Sequence, residues 1–108
     1  MWILRAIPGL LIGATMLPLL LGAKRVSISI DDMAFNPGSV DVQVGDTVTW
    51  TNNDDRDHTV VGDAFRSGNL RPGSSYSFQF NNPGRFSYGS SIYPRMKGSV
   101  NVKDAKEK

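Results

Sequence analysis

Few side chains in this chain can do chemistry. It has one histidine, His58, and no cysteine. Without cysteine there is no disulfide, thiolate nucleophile, zinc ribbon, iron–sulfur cluster or lipid-modified N-terminal cysteine. A single imidazole also excludes a histidine-rich zinc or di-iron cage. Two roles compete for His58: a metal ligand, or a buried neutral imidazole hydrogen-bonded within a cluster of loops. Asp54, Asp55 and Asp57 lie just before it and read first as solvated loop charge. With 12 Lys+Arg against 10 Asp+Glu, the net charge of +2 provides no basic stripe, so nucleic acid is not an expected partner.

The elements that must position these groups begin after a hydrophobic leader. Arg5 is followed by the uncharged run Ala6–Ala23, rich in leucine and isoleucine, as in an export signal. Residues 1–23 are therefore read as a signal peptide or an uncleaved anchor. Leu21 makes a poor residue three positions before a cleavage point after Ala23. The 18 residues of Ala6–Ala23 fall within the roughly 17–25 needed to span a bilayer. Pro8 and Pro18 interrupt them as a regular helix, and Lys24 and Arg25 blur the charge bias set by Arg5. Any membrane contact is expected only through residues 6–23, and the location is exported, periplasmic or otherwise extracytoplasmic.

Residues 24–103 read as one domain and 104–108 as a charged tail. Val26, Ile28 and Ile30 alternate with serines, and Val40, Val42 and Val44 with polar residues, the period of half-buried strands. Phe35–Gly38 reads as a turn and Thr47–Thr51 as a β-branched strand carrying Trp50. His58–Val61, the alternation of Tyr76, Phe78 and Phe80, the pair Phe86 and Tyr88, and the pair Val100 and Val102 complete about seven short strands. No segment after residue 24 holds a helical period for ten residues, and the spacing predicts an antiparallel sandwich.

Several stretches resemble the plastocyanin and amicyanin branch of the cupredoxins. They are Phe35-Asn36-Pro37, the run Val44-Gly45-Asp46-Thr47-Val48-Thr49-Trp50-Thr51-Asn52-Asn53, His58-Thr59-Val60, and Phe65–Gly73 followed by Tyr76-Ser77-Phe78. Pro83–Tyr88 and Met96–Val100 extend the likeness across nearly all of residues 26–103. The resemblance implies an all-β, Greek-key β-sandwich with metal-binding loops at one end. It also implies a copper site built from one histidine after the tryptophan-bearing strand and a later Cys-x-x-His-x-x-Met loop. His58 and Met96 match the first histidine and the axial methionine. Ser90 stands where the cysteine belongs and Tyr93 where the second histidine belongs.

These replacements remove the chemistry of a blue copper centre. Such a site needs two imidazoles and a thiolate in a trigonal set, with a weak axial thioether. A serine hydroxyl is a hard neutral donor, and a tyrosine must lose a proton with a pKa near 10 before it ligates strongly. The expected molecule is therefore an exported cupredoxin-fold module with a degenerate copper site, structural or partner-binding. The alternative is a copper-binding, electron-transfer protein with a weak or rebuilt site on His58 and Met96, where residues 54–57 add oxygen ligands. Copper is possible, but not as a type 1 centre.

The retained fold leads us to expect a Ser90–His58 hydrogen bond in the vacated site. Met96 otherwise reads as core filler beneath the loop. Tyr93 either plugs the pocket or, with Arg95, faces a protein partner at the loop end. A Ser90–His58 nucleophile–base pair would still need an orienting acid. Asp57, adjacent to His58, would point to the opposite face of a strand, so no enzymatic activity is expected.

Overall fold

The computed structural model describes residues 22–104; the readings of residues 1–21 and 105–108 as leader and tail fall outside them. Eight strands are present among the described residues: β1 (Arg25–Asp31), β2 (Ala34–Asn36), β3 (Ser39–Gln43), β4 (Thr47–Asn52), β5 (Val61–Gly62), β6 (Ser75–Gln79), β7 (Gly84–Gly89) and β8 (Lys97–Lys103). They form two four-stranded sheets, ordered β2-β1-β4-β6 and β3-β8-β7-β5. No helix among the described residues is long and apolar enough to cross a membrane.

Period-two alternation decides which face each strand buries. In β4, Val48, Trp50 and Asn52 are buried while Thr47, Thr49 and Thr51 alternate with them. Ile28 and Ile30 of β1, Val42 of β3, and Val100 and Val102 of β8 meet them in one core. Trp50 packs against Phe65, Tyr76 and Tyr88 at ring separations of 5.4, 5.8 and 5.3 Å. Gly98 sits opposite Tyr88 in the ladder, and a Cβ there would overlap the Tyr88 ring and hydroxyl.

The sandwich is as expected, with three differences in detail. Its sheets are mixed and not purely antiparallel: β1 pairs parallel with β4, and β3 with β8. Alternation marks a strand and its inner face but carries no strand direction, so this was not legible locally. Phe35 and Asn36 belong to β2, not to a turn. The reversal lies at Asp32 and Met33, whose φ values of 52° and 61° make a two-residue hairpin between the paired Asp31 and Ala34. The stretch His58–Val61 is strand only at Val61; His58 makes an isolated bridge with Leu70.

Candidate functional site

The end of β4 places the site. Asn52 is fully buried, and its side-chain amide donates to the carbonyls of Arg56 and Leu70, both at 2.8 Å. Its Oδ1 accepts from the N–H of Asp54 at 2.9 Å. A buried amide satisfied in this way folds the 53–57 loop back on itself. Reciprocal backbone bonds between His58 and Leu70, at 3.0 and 2.7 Å, then fix the residue that follows.

His58 is completely buried. Its Nε2 lies 2.9 Å from Asp54 Oδ2, and the same oxygen accepts the N–H of Met33 at 3.1 Å. Asp54 Oδ1 accepts from Asp55 N at 2.9 Å. The hydrogen bond to His58, followed by those from Asp55 and Met33, lowers the Asp54 pKa from 3.8 to about 2. An ionised carboxylate only accepts, so Nε2 carries the proton, and in the neutral ring Nδ1 is a lone pair. That Nδ1 is buried and has no hydrogen-bond partner among the described residues.

The loop between β7 and β8 closes over this ring. Ser90 Oγ accepts the N–H groups of Ile92, at 3.0 Å, and Tyr93, at 2.9 Å. Ser90 is thus committed to a local turn of its own loop, and the expected Ser90–His58 hydrogen bond does not form. Ser91 N donates to Thr59 Oγ1 at 2.8 Å, tying the loop to the residue after His58. Tyr93 is half-buried, and its ring centroid is 5.2 Å from that of His58. Met96 is buried in the core. The carboxylate of Asp55 and then the hydroxyl of Tyr93 raise the Arg56 pKa.

Met33, Tyr93, Pro94, Arg95 and Met96 line a groove of about 430 Å³ on the outside of this cluster. Met33 and Ile92 are the large hydrophobic residues left exposed among those described. The structure thus gathers His58, Ser90, Tyr93 and Met96 at one end of the sandwich, with Arg95 at its rim. Sequence reasoning missed the bond from Asp54 to His58: residues 54–57 read as solvated charge or as oxygen donors to copper, and only Asp57 was tested as the orienting acid. Asp57 instead accepts from Asn69 at 2.8 Å. The one available signal was Asp54 and His58 four apart across a polar loop.

A blue copper set does not fit these residues. No thiolate is present, Ser90 Oγ is engaged by two backbone donors, and no cluster of three His, Cys, Asp or Glu suited to a metal occurs among the described residues. An acyl-transfer pair does not fit either, because Ser90 is not bonded to His58 and the imidazole is closed to solvent.

Comparison with known proteins agrees with the architecture. The Cupredoxin-like domain family matches residues 12–102, and the chain belongs to that family. It is similar to amicyanin from Paracoccus versutus, 32% identical over 87 residues covering 74% of this chain and 66% of that protein. It is similar also to plastocyanin from Scenedesmus fuscus, 34% identical over 85 residues, covering 65% of this chain and 87% of that protein. The chain thus spans slightly less than two thirds of the amicyanin's length. Among solved structures, a novel purple cupredoxin from Nitrosopumilus maritimus superposes with a TM-score of 0.69 at 26% identity, covering 72% of this chain and 99% of that one. A Cu(I) form of an amicyanin mutant superposes equally well at 28% identity, covering 73% and 82%.

Proposed function

We propose that this chain is an extracytoplasmic cupredoxin module that has lost its type 1 copper centre and serves as a structural or partner-binding domain. In this reading His58 and Met96 stand at surviving ligand positions, and Ser90 and Tyr93 replace the cysteine and the second histidine. The observation that carries it is the state of Ser90, a hydroxyl in place of a soft anionic donor, turned to two backbone N–H groups of its own loop. A fold does not carry its family's function once the site is gone. The hydrophobic run Ala6–Ala23 supports export, and the groove beside Tyr93 and Arg95 supports a protein partner at the loop end.

A second reading, a weak copper binder, rests on the unpaired Nδ1 of His58. Metal-ligating imidazoles commonly donate their other N–H to a carboxylate, as His58 does to Asp54. Of the intact family donors, only the Met96 thioether accompanies it. That pair is a poor match for Cu(II) and plausible only for Cu(I).

Restoring the ligands tests the assignment of positions. Ser90→Cys combined with Tyr93→His should create a copper site with an intense thiolate-to-copper absorption, while the unaltered chain stays colourless under the same loading. Failure of the restored variant to acquire that absorption while remaining folded would contradict the assignment.

A further inference from the structure

The four edges of the two sheets are not protected alike. Exposed strand edges offer unpaired backbone groups to other chains, and proteins blunt them with short strands, charges or proline. The edge strand β2 has three residues and is followed by Pro37; β5 has two. The edge strand β3 carries Asp41 in its middle, hydrogen-bonded to Asn101 on the neighbouring strand. The fourth edge, β6, has none of these devices. It runs for five residues, and the stretch 74–82 contains neither a charge nor a proline.

The register identifies which backbone groups β6 leaves open. Phe80 N bonds to Asp46 O, and Asn52 N to Ser74 O, at either end of the β4–β6 pair, both at 2.9 Å. Antiparallel ladders alternate bonded and non-bonded pairs, so within the pairing Thr47↔Gln79 to Thr51↔Ser75 it is Tyr76 and Phe78 that bond to β4. The N–H and C=O groups of Ser75, Ser77 and Gln79 therefore face away from the sheet. None of them has a backbone partner among the described residues outside the strand ladder.

We infer that two copies of this chain associate through β6, antiparallel and centred on Ser77. This register is self-complementary, as a twofold contact requires. Ser77 pairs with itself, and Ser75 with Gln79 of the other copy, so all six outward groups on each strand find partners. On the inner face it sets Tyr76 opposite Phe78 of the other copy, twice, at the closely spaced non-bonded positions. Both residues are only half-buried in the single chain, and aromatic cross-strand pairs stabilise sheets. On the outer face Ser75 and Ser77 already bond to Thr51 and Thr49, at 2.8 and 2.7 Å, so no charge opposes its like across the axis. A five-residue edge buries little area, and such contacts are weak. The association is independent of any copper at the other site.

The described strands and core lie within residues 25–103, and the chain from Lys24 onward is used once its circular dichroism spectrum shows the β-sandwich. Sedimentation of that chain from ~10 µM to ~1 mM should show the mean mass climbing towards twice the monomer, the range expected of a weak contact. Amide exchange at Ser75, Ser77 and Gln79 should slow as concentration rises. Ser77→Lys sets two cations face to face on the axis and Ser77→Pro removes the central outward N–H; each should remain monomeric with an unchanged circular dichroism spectrum. A parent chain that stays monomeric at 1 mM would overturn the inference. So would undiminished dimerisation of folded Ser77→Lys, or protection of these amides only when an unrelated extended peptide is added.

Discussion

The two ends of β4 solve the same problem differently. Each carries an aspartate whose carboxylate organises a reversal of the chain. At the start, Asp46 is almost fully buried, with Oδ1 accepting from Lys24 N at 2.8 Å and Oδ2 from Gln43 N at 2.9 Å. Both oxygens are used, and both donors are backbone groups that would otherwise lack a partner. At the finish, Asp54 serves the N–H groups of Met33 and Asp55 and holds His58, yet the imidazole it orients keeps a buried, unpaired Nδ1. At the first end both carboxylate oxygens are used; at the second, His58 Nδ1 has no hydrogen-bond partner among the described residues, as is also true of Trp50 Nε1 and the Tyr88 hydroxyl in the core.

This contrast can be broken by substitution. Asp46→Ala should have the largest effect, because two backbone donors lose their acceptor; about 2–4 kcal/mol of destabilisation is expected in urea unfolding. Ser90→Ala strips the acceptor from Ile92 and Tyr93 at a half-exposed position and should cost about 1 kcal/mol by the same measurement. His58→Leu should fall within about 1 kcal/mol of the parent, because losing the bond to Asp54 is offset by removing the unpaired Nδ1. A loss as large as that of Asp46→Ala would make His58 a structural group like its counterpart and erase the contrast.

Acid sensitivity distinguishes the same end at smaller amplitude. The folded pKa of Asp54 is depressed to about 2 from 3.8. The stability it contributes is thus fully present above the unfolded value and is lost as pH falls from there through the folded one. In thermal melts between pH 5 and pH 2, the parent should lose stability more steeply than Asp54→Asn, which has no carboxylate to protonate. Parallel profiles would show that the carboxylate is not held as the geometry indicates.

How much of this was legible depended on how locally each feature is encoded. Inner faces such as Ile28 and Ile30 of β1 and Val42 of β3 followed directly from alternation, because period two is a property of one strand. The parallel pairings of β1 with β4 and β3 with β8 were not legible, since direction is set by connections and not by side-chain pattern. The Asp32–Met33 hairpin escaped because its left-handed residues include no glycine or asparagine. At the site, His58, Ser90, Tyr93 and Met96 could be named from spacing and resemblance. The bond between Asp54 and His58 could not, because it depends on how Asn52 folds the loop between them.

The proposed loss of copper use in this cupredoxin domain is open to a metal titration. Cu(I) and Cu(II) would be added to the chain from Lys24 onward and to its His58→Ala variant, with optical and electron paramagnetic resonance spectra at each step. Weak binding, the same in both proteins, is expected. Sub-micromolar binding that disappears with the imidazole would contradict it.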